Sequence, residues 1–385
     1  MNTRLLRAVT ACAALSGLAV VGASAAGPGA AEPLDFDRGA TGLALALRRV
    51  GTTGRVLYVT AHPDDEHNGI LVRLSRGLGL RTALLTVTRG EGGQNAIGPE
   101  LFDALGVLRT GELVSLHRYD AVEQYFGRAY EFGYSFSVEE TFEKWGRDET
   151  LGDVVRVVRA FRPDVIVTLP LEGKGGGQHH HAVAQLARDA FRVAADPARF
   201  AEQGLPAWQA RKLYESGIGG SFGMEGAPAI RVPTGVYDPL LGMTWHQLGM
   251  RSRAMHRCQG TGQLGADPGP AEGRFRLVDA EPAVTVPETD ILDAVDSTVA
   301  GLRRFAPGNE AVATALAALA GQLAATRSAP APDSPAAAVP ALASALAATR
   351  ALRSTGACVT KRPTSRWHWH SPTGWCWRRA RTTAW

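Results

Sequence analysis

Apolar residues fall along this chain in two alternating rhythms. "RVLYVTA" (55–61), "TALLTVTRGE" (82–91) and "DVIVTLP" (164–170) begin with nearly continuous apolar, β-branched runs. Strands read this way when both faces of a parallel sheet are covered. "ATGLALALRRV" (40–50), "HPDDEHNGILVRLSRG" (62–77, ending on Gly77), "LGVLRTGELVSLHRY" (105–119), "TLGDVVRVVRAFRP" (150–163) and "HHHAVAQLARDAFRVA" (179–194) carry helical spacing instead. Strands alternating with helices predict an α/β, Rossmann-like fold with a mostly parallel sheet and helices on both faces.

Beyond residue 212 the rhythm weakens. Residues 212–290 predict short strands and one helix, "TWHQLGMRSRAMHRCQG" (244–260). Residues 291–353 are Ala-rich and helical, split by "APAPDSPAAAVP" (329–340), and predict a small helical appendage. No internal repeat is visible.

The two ends read differently from the body. Arg4 and Arg7, the apolar Ala8 to Val21 and "ASA" at Ala23 to Ala25 have the layout of an export signal, with an apolar run too short to span a membrane well. The expected organisation is a signal peptide at 1–25, a linker at 26–40, the main domain at 41–290, the helical segment at 291–353 and an unpacked tail at 354–385. The tail holds six Lys/Arg, no acid and five of the eight tryptophans. Trp has a single codon, TGG. Regrouping GC-rich codons from Arg366 by one base yields a sequence with acids and ordinary apolar periods, so the tail is read as a frame-shifted segment.

That tail also carries the basic excess. The chain's formal net charge is +4, and without those six cations the body is slightly acidic. A nucleic-acid partner therefore loses its electrostatic support. Cys12, Cys258, Cys358 and Cys376 have no C-x-x-C spacing, so neither a disulfide scaffold nor a cysteine metal site is indicated.

The chemistry concentrates at two strand ends. In open α/β sheets ligands sit beyond the carboxyl ends of strands. "HPDDE" (62–66) follows one predicted strand, and "GGGQHHHA" (175–182) follows another. Three adjacent carboxylates repel one another unless a cation is near. Imidazole and carboxylate donors suit zinc, and a catalytic zinc site uses three protein ligands with one position open. One end offers His62, Asp64 and Asp65; the other offers His179, His180 and His181. A carboxylate not used for coordination is placed to take a proton from water. The loop "GKGGG" lacks the order of a phosphate-binding motif.

"AHPDDE", "TRGEGGQNAIG", "LGVLRTGEL" and "FRPDVIVT" with "HHHAV", in this order, resemble the PIG-L/LmbE-like deacetylases. "GVYDPLLGMTWHQLGMRSRAMHRCQG" is similar to a later segment of exported bacterial members. The resemblance covers roughly His62 to Gly260. It implies a zinc enzyme that removes acetyl groups from N-acetylglucosamine-type sugars. It implies His62, Asp65 and His180 as metal ligands, Asp64 as general base and Arg109 as a substrate contact. Iron(II) or cobalt(II) would fit the same ligands. The family often reads H-x-x-H where this chain has Gly177, which leaves His179 as the candidate for the oxyanion or the leaving amine. Glu66 and Glu91 are expected to support the site or its turns, and His117, His246 and His256 to be structural or surface groups. Two other functions stay open: amide hydrolysis of another sugar conjugate or antibiotic, and a glycan-binding module with a decayed site. The Tyr-, Phe- and Glu-rich loops of 120–150 would decide the substrate.

Overall fold

A computed structural model describes residues 34–354 apart from 172–176, 218–223, 225–228, 264 and 329–333. The expected signal segment and the tail beyond residue 354 lie outside the described residues. The elements in chain order are α1 (Gly39–Val50), β1 (Arg55–Thr60), α2 (Asn68–Val72, continued by a π-helical turn over Arg73–Gly77), β2 (Arg81–Thr86), α3 (Asp103–Asp120) and β3 (Glu123–Phe126). Then come α4 (Val138–Trp145), α5 (Arg147–Phe161), β4 (Val165–Thr168), α6 (His179–Val193), β5 (Lys212–Ser216), β6 (Ile230–Pro233), β7 (Tyr237–Asp238) and β8 (Met243–Thr244). The last are α7 (Trp245–Arg253), β9 (Glu272–Ala280), α8 (Glu310–Ser328) and α9 (Val339–Ser354).

The fold is α/β. The main sheet runs β3-β2-β1-β4-β5-β9-β6; its first five strands are parallel, and β9 pairs antiparallel with both β5 and β6. Alternate residues of the central strands feed two cores, as a period of two requires. Leu57, Val59, Ala83, Leu85 and Ile166 face α5 and α6, meeting Val158, Phe161, Leu186 and Phe191. Val56, Tyr58, Leu84, Val165 and Val167 face the other way, meeting Ile70, Leu71 and Leu74 of the α2 region and Leu113 and Leu116 of α3. With both faces covered, the strands are apolar at nearly every position, which is why the sequence reads them without alternation.

Strand order reverses between β1 and β4, which are neighbours in register with Tyr58 beside Val167. At such a switch point the two following loops diverge and leave a crevice. Here the described residues past those strands are the "HPDDE" turn after β1 and Gly177 and Gln178 just ahead of α6.

The helix expected over 244–260 ends at Arg253, followed by a short 3₁₀ turn at Arg257–Gln259. The Ala-rich region forms α8 and α9 around a small core of Val299, Val312, Leu316, Leu319 and Ala345. Its first part, before α8, is turns and a 3₁₀ helix (Ala300–Phe305) rather than the expected helix. Ile291 instead joins the main core, and Lys212 pairs there with Glu288. No described helix is long and apolar enough to cross a membrane.

Candidate metal centre and active site

β1 delivers His62 to the sheet edge, and α6 begins with His179 and His180 at the same edge. His62 Nδ1 lies 3.1 Å from His180 Nε2 and 3.6 Å from Asp65 Oδ2, and His180 Nε2 lies 3.1 Å from Asp65 Oδ1. Zinc bonds of ~2.0–2.1 Å in a tetrahedron separate donor atoms by about 3.3 Å. His62, Asp65 and His180 each offer a donor atom within 4.8 Å of the other two, close enough to share a divalent cation, and they form one of two such ligand groups among the described residues. Asp65 is fixed because its Oδ2 accepts the Ala61 and His62 N–H groups at 3.0 and 2.8 Å, which leaves Oδ1 toward His180. Burial alone would raise its pKa, but the His180 and His62 rings outweigh that and hold the carboxyl well below the usual range.

Asp64 stands beside this triangle on a strained backbone, with φ of +99°. A non-glycine residue there costs about 1–3 kcal/mol and persists only when its surroundings enforce it. Three contacts do so. Glu66 Oε2 accepts the Asp64 N–H at 3.0 Å, Arg253 donates to the Asp64 carbonyl at 2.9 Å, and Arg109 donates to the Pro63 carbonyl at 2.7 Å. Burial and the neighbouring Asp65 charge push the Asp64 carboxyl up to about 6, against the Arg109 guanidinium 3.5 Å away.

Arg109 is 3% exposed, and its other donors go to the Gly90 and Gly93 carbonyls. The resemblance implied a substrate contact for it. The guanidinium lies under the turn that carries Asp64, where those buried carbonyls need a donor. His179, the expected group for the oxyanion or the leaving amine, lies deep beside His62. It is 1% exposed, stacked on Trp145 and edged by Phe132, with its Nδ1 3.1 Å from His62 Nε2. Burial pushes its ring down to about 3, and His62 and His180 add to the effect. It supports His62 from below. A Cβ added at Gly177 would meet Ser135 backbone atoms at 3.4 and 3.6 Å, ordinary van der Waals contact. His181 lies outside the triangle, its Nδ1 3.0 Å from the Gln178 side-chain oxygen.

His256 and Glu66 are both fully buried and meet at 2.6 Å. Burial opposes ionisation of Glu66, but His256 and then Arg253 outweigh it and bring it down to about 2. This pair anchors the Asp64 turn to the segment after α7. Removing one partner of a buried pair strands the other charge, so His256→Ala is expected to cost about 3–5 kcal/mol of folding stability. Urea unfolding followed by circular dichroism measures it, and a loss under 1 kcal/mol would show that the pair carries no such weight.

The sequence reading passed over Glu131 and Arg253 and assigned His256 no part in the site. Glu131 sits in a loop with no ligand spacing, yet Glu91 Oε2 accepts both the Glu131 and the Arg89 N–H groups and ties that loop to the end of β2. His117 is structural, half-buried and bonded to Asp120 and Gln124, each at 2.8 Å.

The family model described as PIG-L, GlcNAc-PI de-N-acetylase, matches residues 57–191. A Frankia casuarinae protein named 1D-myo-inositol 2-acetamido-2-deoxy-alpha-D-glucopyranoside deacetylase 2 is 33% identical over 211 residues, covering 50% of this chain and 67% of that one. A Saccharopolyspora erythraea protein of the same name is 32% identical over 201 residues, covering 46% of this chain and 73% of that one. The chain spans 54% to 73% of the length of such curated relatives. Among solved structures, N,N'-diacetylchitobiose deacetylase from Pyrococcus horikoshii aligns at 15% identity and a TM-score of 0.43, covering 61% of this chain and 86% of that one.

Proposed function

The chain belongs to the PIG-L de-N-acetylase family, and on that premise we propose that it is a metal-dependent hydrolase removing the acetyl group from an N-acetylglucosamine-type sugar or glycan conjugate. The observation that carries this reading is the His62–Asp65–His180 triangle with Asp64 beside it. His62, Asp65 and His180 would hold the cation, zinc foremost, with iron(II) or cobalt(II) compatible with the same donors. When bound, such a cation supplies Lewis acidity, polarising the amide carbonyl and lowering the pKa of water.

The remaining work falls to the chain's own groups. Asp64, outside the ligand triangle and held by Glu66, Arg253 and Arg109, takes the proton of the attacking water and returns one to the departing nitrogen. His179 and Arg109 act as positioning residues, the first beneath His62 and the second beneath the Asp64 turn. Tyr134 and Phe136 are 66% and 80% exposed on the loop that packs against Gly177, and such rings offer an apolar face to a sugar. The test is acetate release, read by proton NMR, from a panel of N-acetylated sugars and inositol conjugates. Acetate from at least one glucosaminide is expected; none from any member would count against the reading.

Export belongs to the same proposal, supported by the charged, apolar and small-residue layout of residues 1–25. Mass spectrometry of culture supernatant should find a mature protein starting near Ala26. An intact N-terminus retained inside the cell would oppose it.

A further inference from the structure

We infer that His62 serves two cation sites at once, and that His62 Nε2, His179 Nδ1 and Glu131 Oε1 form a second, weaker divalent site behind the first. These three atoms converge within 4.8 Å of one another, separately from the His62–Asp65–His180 triangle. His62 Nε2 is 3.1 Å from His179 Nδ1, and that atom is 3.8 Å from Glu131 Oε1. The two imidazole nitrogens of His62 thus face opposite ways. Nδ1 turns to His180 and Asp65, and Nε2 turns to His179.

An independent observation also calls for positive charge there. Glu131 is 6% exposed, and among the described residues its one ion-pair partner is His179; no Lys or Arg pairs with it. Its carboxylate otherwise accepts the Gly133 N–H. A buried carboxylate without a cation is costly. A divalent ion would balance it while using two imidazole nitrogens, a donor set that suits zinc or copper(II). Phe132 and Trp145 pack around His179 and restrict its ring, so its Nδ1 stays aimed at this point.

With both ring nitrogens of His62 on cations, its one N–H proton leaves to solvent as the second ion binds, and that displacement makes the second ion the weaker one.

The test counts ions. The purified full chain, stripped with chelator, is titrated with zinc and the bound metal is read by mass spectrometry after rapid desalting across a concentration series. Two successive ions are expected, the second at least tenfold weaker, with Glu131→Gln retaining the first and losing the second. One ion in the parent, or a second ion that survives Glu131→Gln, overturns the second site. No bound ion overturns the first-site reading as well, so the two failures are distinct. A second measurement needs only the parent protein. Loading two copper(II) ions should quench much of the paramagnetic resonance signal, because an imidazolate bridge couples the two spins. Two uncoupled signals would place the second ion elsewhere and defeat the proposal.

Discussion

Replacing His180 with alanine should empty the metal centre and lower amide hydrolysis by about 10³-fold or more. The triangle has three protein donors, and deleting one leaves His62 and Asp65 to hold a cation that needs at least three. Lewis-acid assistance contributes several kcal/mol to carbonyl chemistry, and about 4 kcal/mol corresponds to about 10³-fold in rate. Asp65→Asn should act in the same direction. It keeps the shape of the side chain but removes the charge that faces His180 at 3.1 Å. Bound metal measured on the desalted variants, beside their rates of acetate release, checks both. A His180→Ala protein that keeps a full complement of zinc in the first site would remove His180 from the ligand set.

Asp64→Asn should give the opposite split. Asparagine preserves the size of the side chain and its neighbours but cannot take a proton. The variant is expected to keep its fold and its metal, to bind substrate with little change and to lose about 10²–10⁴-fold in turnover. The strained turn survives because its contacts from Glu66, Arg253 and Arg109 reach the backbone of Pro63 and Asp64, not the carboxylate alone. The loss should therefore appear in kcat rather than in thermal stability. If Asp64→Asn sheds the metal while Asp65→Asn keeps it, the two aspartates have exchanged roles.

The parallel half of the sheet was legible in the chain because β1, β2 and β4 are buried on both faces and so carry unbroken apolar runs. β3 (Glu123–Phe126) escaped notice because its four residues are only half-buried and include two polar side chains. β9 and β6 were expected only as unplaced short strands within 212–290, because they close the sheet at its antiparallel edge, where charged residues such as Arg231, Glu272 and Arg274 alternate with the buried ones. The residues of the His62–Asp65–His180 triangle were readable because each lies immediately after a strand or at the start of the next helix. Glu131, Arg253 and His256 were not, since each reaches the site from far along the chain and none has ligand-like spacing. His256, expected in "RAMHRCQG" to be a structural or surface group, is the former, buried against Glu66. Arg109 was legible as a residue near the site but not in its orientation, which depends on carbonyls at Gly90, Gly93 and Pro63 that no side-chain pattern announces.

Hydrolysis of an N-acetyl amide through a cation held by His62, Asp65 and His180 can be read from the rate of free-amine release from an N-acetylglucosaminide, measured on chelator-stripped protein before and after one equivalent of zinc, beside Asp64→Asn treated identically. The stripped parent should be inactive and one equivalent should restore it, while zinc should bind Asp64→Asn without restoring its rate. Equal amine release by the stripped and the reloaded parent would rule out a cation at this site as the source of the activity.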